Sequence, residues 1–209
     1  MLSAEQIVEA QDGETRVLHQ VEAAISAAKA NASRDGRSDW LEAVRHQHRA
    51  NFELWHIEDE ARAPGASDSD LAGVKRRVDL INQLRNDLAE QLDRLLLGWL
   101  EPKGLPNPAA ELNSESPGLI IDRLSILALK IYHTREEVER AGAPEGHAEH
   151  NMERLAILEE QRRDLAACLD ALWRETLQGM RRFKHYRQLK MYNDPALNPA
   201  IYRASSRAK

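Results

Sequence analysis

The stretch LIIDRLSILALKIY, Leu119 to Tyr132, decides the fold. Its apolar residues cover almost the whole circumference at helical spacing, so it reads as a helix buried between neighbours. Ser116-Pro117 just before it supplies an N-cap followed by proline at the first helical position, and Gly142-Ala143-Pro144 closes it. A helix buried on all sides needs other helices around it. Strand-like alternation is absent elsewhere, and Pro and Gly gather in a few places, which predicts an all-α chain of about five long helices.

Working outward, the first helix is expected from Ser3 to Ala30 and the second from an N-cap at Ser38 to before Pro64-Gly65. The third is expected from about Asp68 to Leu100, stopped by Pro102. The fifth is expected from about Glu145 to Leu189, with a curve or kink at Gly179. Met191 to Tyr202 (MYNDPALNPAIY) contains two X-Pro turns and spaced apolar residues, and is expected as an irregular strap on the bundle. The short Pro64 to Ser67 connection makes the second and third helices antiparallel neighbours. The whole, residues 1–209, is read as one antiparallel helical bundle in a single domain.

Composition narrows the class. The lone Cys168 excludes a disulfide framework and Cys-based zinc sites. No apolar run reaches the length of a membrane span, and Met1 to Ala10 has neither a basic nor an apolar leader region, so a cytoplasmic protein is expected. The net charge of −5 hides a basic end, with eight Lys/Arg and one acid from Arg181 to Lys209. The rest is acidic, which argues against a nucleic-acid partner. The run RRFKHYRQLK (Arg181 to Lys190) is read as a solvated helix end. No Gly-rich phosphate loop, GxSxG elbow or HExxH motif occurs.

The informative residues are polar groups on apolar arcs. On the second helix His48, Asn51, Asp59 and Arg62 share the arc of Val44, Phe52 and Trp55. On the third, Arg85 falls within an arc of Val74, Val78, Ile81, Leu84, Leu88, Leu92, Leu95 and Trp99, with Asp79 and Asn82 on its flank. On the fourth, Asp122 and His133 share one side, and Arg123 and Lys130 another. Burying any of these unpaired would cost several kcal/mol. They must pair with one another, as Asp59 with Arg85 or Asp122 with an arginine of another helix, or meet a bound polar ligand. Arginine and lysine donors suit a phosphate or carboxylate. A metal site is the third reading: His56, Asp59 and Glu60 stand at i, i+3 and i+4, and Asp79 with Asn82 could close it from the next helix.

The segments NFELWHIEDEAR (Asn51 to Arg62), KRRVDLINQLRND (Lys75 to Asp87), ESPGLIIDRLSILALKIYH (Glu115 to His133) and LKMYNDPALNPAIY (Leu189 to Tyr202) resemble a bacterial family classed as domain of unknown function 4254. The resemblance spans about residues 40 to 203. It implies no established reaction; proximity of some members to glycosyltransferase genes of cell-surface polysaccharide synthesis points to a nucleotide-sugar or phosphosugar ligand. The family-like segments contain His56, Asp59, Arg62, Asp79, Asn82, Arg85, Asp122, Arg123, Lys130 and His133.

Three functions follow as expectations. The first is a non-enzymatic or accessory protein binding an anionic small molecule, or a partner, through a polar seam between the second, third and fourth helices. The second is a metal-dependent phosphohydrolase of the all-helical nucleotide-pyrophosphatase kind, with Asp59 and Asp79 as ligands, although that class's repeated Glu-x-x-Glu is missing from the relevant helices. The third is a structural protein in which the fifth helix is a homo-oligomer face.

Overall fold

The computed structural model describes residues 3–21, 36–189 and 196–199. Five helices carry the fold: α1 (Ala4–Val21), α2 (Gly36–Glu60), α3 (Asp68–Leu100), α4 (Pro117–Glu139) and α5 (His147–Leu177). A 3-10 turn follows α3 at Glu101–Lys103. Two short strands, β1 (Glu111–Leu112) and β2 (Arg181–Arg182), pair in parallel. The all-α bundle expected from the sequence is therefore the fold, and this two-residue ladder is its one β element among the described residues.

Local chemistry sets the ends. Ser67 and Asp70 form a capping box at the start of α3, and Ser116 caps α4 ahead of Pro117. α2 begins at Gly36, two residues before the expected cap at Ser38. α5 stops at Leu177, twelve residues short of the expected Leu189. The reason is Gly179, at φ 71°. Its N–H donates to the Thr176 carbonyl and that of Met180 to the Glu175 carbonyl, which closes the helix as a Schellman motif rather than kinking it. Beyond it the chain runs through β2, carrying the buried Phe183 onto Leu96 and Leu100 of α3. Glu90 fastens the next stretch along α3, accepting from the Gln188 amide at 2.7 Å with the His185 ring 3.3 Å away. Most of the expected strap, like Glu22 to Ala30 of the expected first helix, lies outside the described residues.

Cross-helix contacts fix the directions. α2 with α3, α3 with α4 and α4 with α5 are antiparallel, as Arg77 to Glu60, Arg85 to Asp122 and Arg135 to Glu159 show with their neighbours. α1 and α2 instead run parallel: Ala4 and Ile7 lie by Trp40, and Thr15 by His48. Fourteen residues separate Val21 from Gly36. The N-terminus of α1 is anchored by Asp170 of α5, which accepts the Ala4 N–H at 2.8 Å, and Arg162 grips both oxygens of Asp12 at 2.8 Å.

Among the described residues, α4 is the only helix that packs against all four others. Ile120, Ile121, Leu124, Ala128, Leu129 and Ile131 are buried, and the first three join Ile7, Val44, Leu92, Leu169 and Leu172 in the main core. Its N-terminus lies so close to α3 that a Cβ at Gly118 would stand 2.2 Å from the Ala89 carbonyl oxygen. Glycine alone allows that approach.

Burial corrects two expectations. The buried stripe of α3 is Val74, Ala89, Leu92, Asp93, Leu96 and Leu100, leaving Leu84, Leu95 and Trp99 exposed. α4 is not enclosed on every side: Arg123 and Lys130 are exposed, with Ile126 and Leu127 half-buried between them.

Candidate functional site

The polar residues singled out from the sequence separate into three settings. The first is a buried network at mid-bundle. Asp122 of α4 accepts two bonds from Arg85 of α3, Nε to Oδ1 at 2.8 Å and Nη2 to Oδ2 at 2.6 Å. From α2, Gln47 Nε2 donates to Oδ1 at 2.5 Å and Asn51 Nδ2 at 3.0 Å. Its own bonds to Asp122 hold the Arg85 guanidinium above its ordinary pKa, against the opposing effect of burial.

One turn along α4, Ser125 Oγ accepts from Asn51 Nδ2 at 2.9 Å and lies 2.8 Å from His48 Nδ1. His48 Nε2 is 2.7 Å from Thr15 Oγ1, and that hydroxyl donates to the Gln11 carbonyl at 2.8 Å. A neutral ring with its proton on Nε2 satisfies these contacts: Nε2–H donates to Thr15, and Ser125 donates to Nδ1. Gln11 Nε2 donates to the Ile121 carbonyl at 3.1 Å. The side-chain oxygens of Gln11 and Gln47 have no donor among the described residues. A carboxylate with four donors, two of them from its own arginine, is already neutralised, so this part of the seam binds itself.

The second setting is the surface. Asp59 is exposed near the end of α2; Arg62, also exposed, donates to the Glu58 carbonyl and pairs with Glu58. Asp79 pairs with Lys75, and Glu60 takes two bonds from Arg77 at 2.6 and 3.1 Å. Asn82 is half-buried nearby. Between α2 and α4, His133 stacks on Trp55 (centroids 4.8 Å apart, 13° between planes), lies 2.8 Å from Glu136, and has His56 at 6.2 Å. Among the described residues no three His, Cys, Asp or Glu side chains converge to hold a metal.

The third setting is a groove of about 690 Å³ between α4 and α5, within the range that accommodates small molecules. Arg123 and Lys130 stand on its α4 wall two turns apart, with Ile126 and Leu127 between them. Asn113, Ser114 and Gln161 offer amide and hydroxyl groups, and Asp164 faces them from α5. Glu115 holds Arg123 by two bonds, at 2.8 and 3.1 Å. Lys130 has no ion-pair partner among the described residues. The α4 wall therefore supplies cations, the α5 wall the Gln161 amide and the Asp164 carboxylate, and the floor is aliphatic.

Sequence reasoning missed Gln11, Thr15, Gln47 and Ser125 in the network, and the α5 wall of the groove. Small polar residues carry little periodic signal, and the groove wall depends on which face of α5 meets α4.

The architecture is that of a five-helix bundle organised around one central helix, with a buried polar network centred on Asp122 on one side of it and an open groove on the other. The chain belongs to the family described as protein of unknown function (DUF4254), whose model matches residues 41–185. The match takes in α2 from Leu41 onward, all of α3 to α5, the Asp122 network apart from its α1 members, and the groove. No curated protein and no solved structure matches the chain. No helix among the described residues is long and apolar enough to cross a membrane.

Proposed function

We propose that the chain is a non-enzymatic binding protein that takes an anionic small molecule, a phosphorylated sugar or nucleotide sugar, in the groove between α4 and α5. The observation that carries this reading is the shared wall of Arg123 and Lys130, with Lys130 lacking a counter-ion among the described residues inside a groove of small-molecule size. Arg123 is pre-oriented by Glu115 and presents a planar fork to a phosphate, while Lys130 adds a point charge. Asn113, Gln161 and Asp164 suit sugar hydroxyls, and Ile126 with Leu127 suits the apolar face of a ring. An accessory role in cell-surface polysaccharide synthesis is the setting suggested by the family resemblance.

The seam between α2, α3 and α4 takes the structural part in this reading, because its central carboxylate and guanidinium face each other. The test is the thermal midpoint of the protein against nucleotides, nucleotide sugars and sugar phosphates, each with and without Mg²⁺ or Mn²⁺. A ligand at about 100 times its Kd adds about 2.7 kcal/mol, a rise of about 5 to 10 °C for a chain of this size. A metal-independent rise supports the binding protein. A rise only with metal favours the phosphohydrolase, and none across the panel removes the ligand.

A further inference from the structure

One outer face of α3 is apolar, although at its C-terminal end Trp99 also packs on Trp173 of α5, 5.7 Å between ring centroids, and carries the Lys103 ammonium 3.6 Å above its ring. Leu80 is 70% exposed, Leu84 44%, Leu95 39% and Trp99 42%. With the half-buried Leu88 they fall within an arc of about 100° and span about 28 Å of helix. Isolated exposed leucines are ordinary, but a continuous stripe marks a contact surface. The segment after β2 runs beside it, fastened by Glu90, and adds the exposed Tyr186 and Leu189 to the rim.

The stripe is complementary to itself. A second α3 laid antiparallel across a twofold axis near Ala89 and Glu90 sets Leu80 against Trp99 of the second copy and Leu84 against Leu95 of the second copy. Leu88 then meets Gln91 beside the axis. Antiparallel helices bring the same flank of each together, and the flank beside this stripe carries Asp87, which accepts from Gln83 at 2.8 Å, and Arg94, which stands 3.7 Å from Glu90 of its own chain, both exposed. In this register Asp87 of each copy comes within reach of Arg94 of the other, so one charge pair is made twice, as a twofold interface requires. Gly98 lies on the same flank with nothing within 4 Å of its Cβ position, leaving room for close approach.

We infer that the chain forms a homodimer through the outer face of α3, with a second copy of itself as the occupant of the Leu80 to Trp99 stripe. This face is separate from the α4–α5 groove and independent of what binds there.

The experiment is sedimentation equilibrium of the full chain at micromolar concentration, alongside Leu84→Glu, Asp87→Arg and Asp87→Arg/Arg94→Asp. The expected mass is twice the 23.7 kDa of one chain. Leu84→Glu should give monomer with an unchanged circular dichroism spectrum. Asp87→Arg should weaken association about tenfold, and the double charge swap should restore it. If Leu84→Glu does not fold, the charge pair decides. A monomeric wild type overturns the proposal, and so does a dimer indifferent to both single variants.

Discussion

Arg85 on α3 closes on Asp122 of α4 with two nearly parallel bonds of 2.8 and 2.6 Å, and two amides of α2 complete the carboxylate's coordination. Three helices are thereby locked to one carboxylate at the middle of the bundle. Breaking such a pair from one side leaves a charge without its partner, which costs more than the pair contributes.

Asp122→Asn is accordingly expected to destabilise the fold by about 3 kcal/mol, since Arg85 is mostly buried and would lose its counter-charge. The double variant Arg85→Met/Asp122→Leu should recover a large part of that loss. Urea denaturation of wild type, Asp122→Asn, Arg85→Met and the double variant measures both. Equal destabilisation by single and double variants would contradict the unpaired-charge explanation.

Gly118→Ala tests the close packing of α4 on α3. The added Cβ would meet the Ala89 carbonyl oxygen at 2.2 Å and Asp93 Oδ1 at 2.9 Å, so backbone must move. A loss of about 2 to 4 kcal/mol is expected despite alanine's better helix propensity. An unchanged urea midpoint would show that the helices can separate at no cost.

Asp93 supplies a pH dependence. Burial pushes its carboxyl up to about 6, although the bonds from Ser116 and the Gly118 N–H, and the charge of His185, oppose the shift. An acid whose folded pKa is raised stabilises the fold fully below its unfolded value near 4 and loses that contribution as pH rises through 6. Asp93→Asn keeps an oxygen for the Gly118 N–H, 2.7 Å away, and cannot ionise. Its stability relative to wild type should therefore rise between about pH 4 and 6, by up to about 3 kcal/mol, and level off above. Thermal midpoints of both proteins across that range decide it; a pH-independent difference would contradict the assignment.

The sequence exposes some of this directly. Ser116-Pro117 marks the start of α4, Pro102 the end of α3, and the expected pairing of Asp122 with an arginine of another helix is Arg85 to Asp122. The expected partner for Asp59 is not there, since Arg85 is taken. α3 misled for a physical reason: Leu95, Leu96 and Leu97 place leucine on several faces at once, so periodicity cannot say which face is buried. The same holds for the direction of α1, since periodicity does not say whether it runs parallel or antiparallel to α2. Arg123 and Lys130 were legible as a pair on one side of α4; that this side opens onto α5 was not.

The central claim is that the two sides of α4 differ in role, Asp122 facing the core and Arg123 with Lys130 facing a ligand. The most direct test is equilibrium binding of the sugar phosphate or nucleotide sugar that most raises the thermal midpoint, to wild type and to Arg123→Met/Lys130→Met. Both side chains are exposed, so the variant should keep its stability. Its affinity should fall at least about tenfold, the equivalent of about 1.4 kcal/mol. Equal affinity in the two proteins would contradict the account.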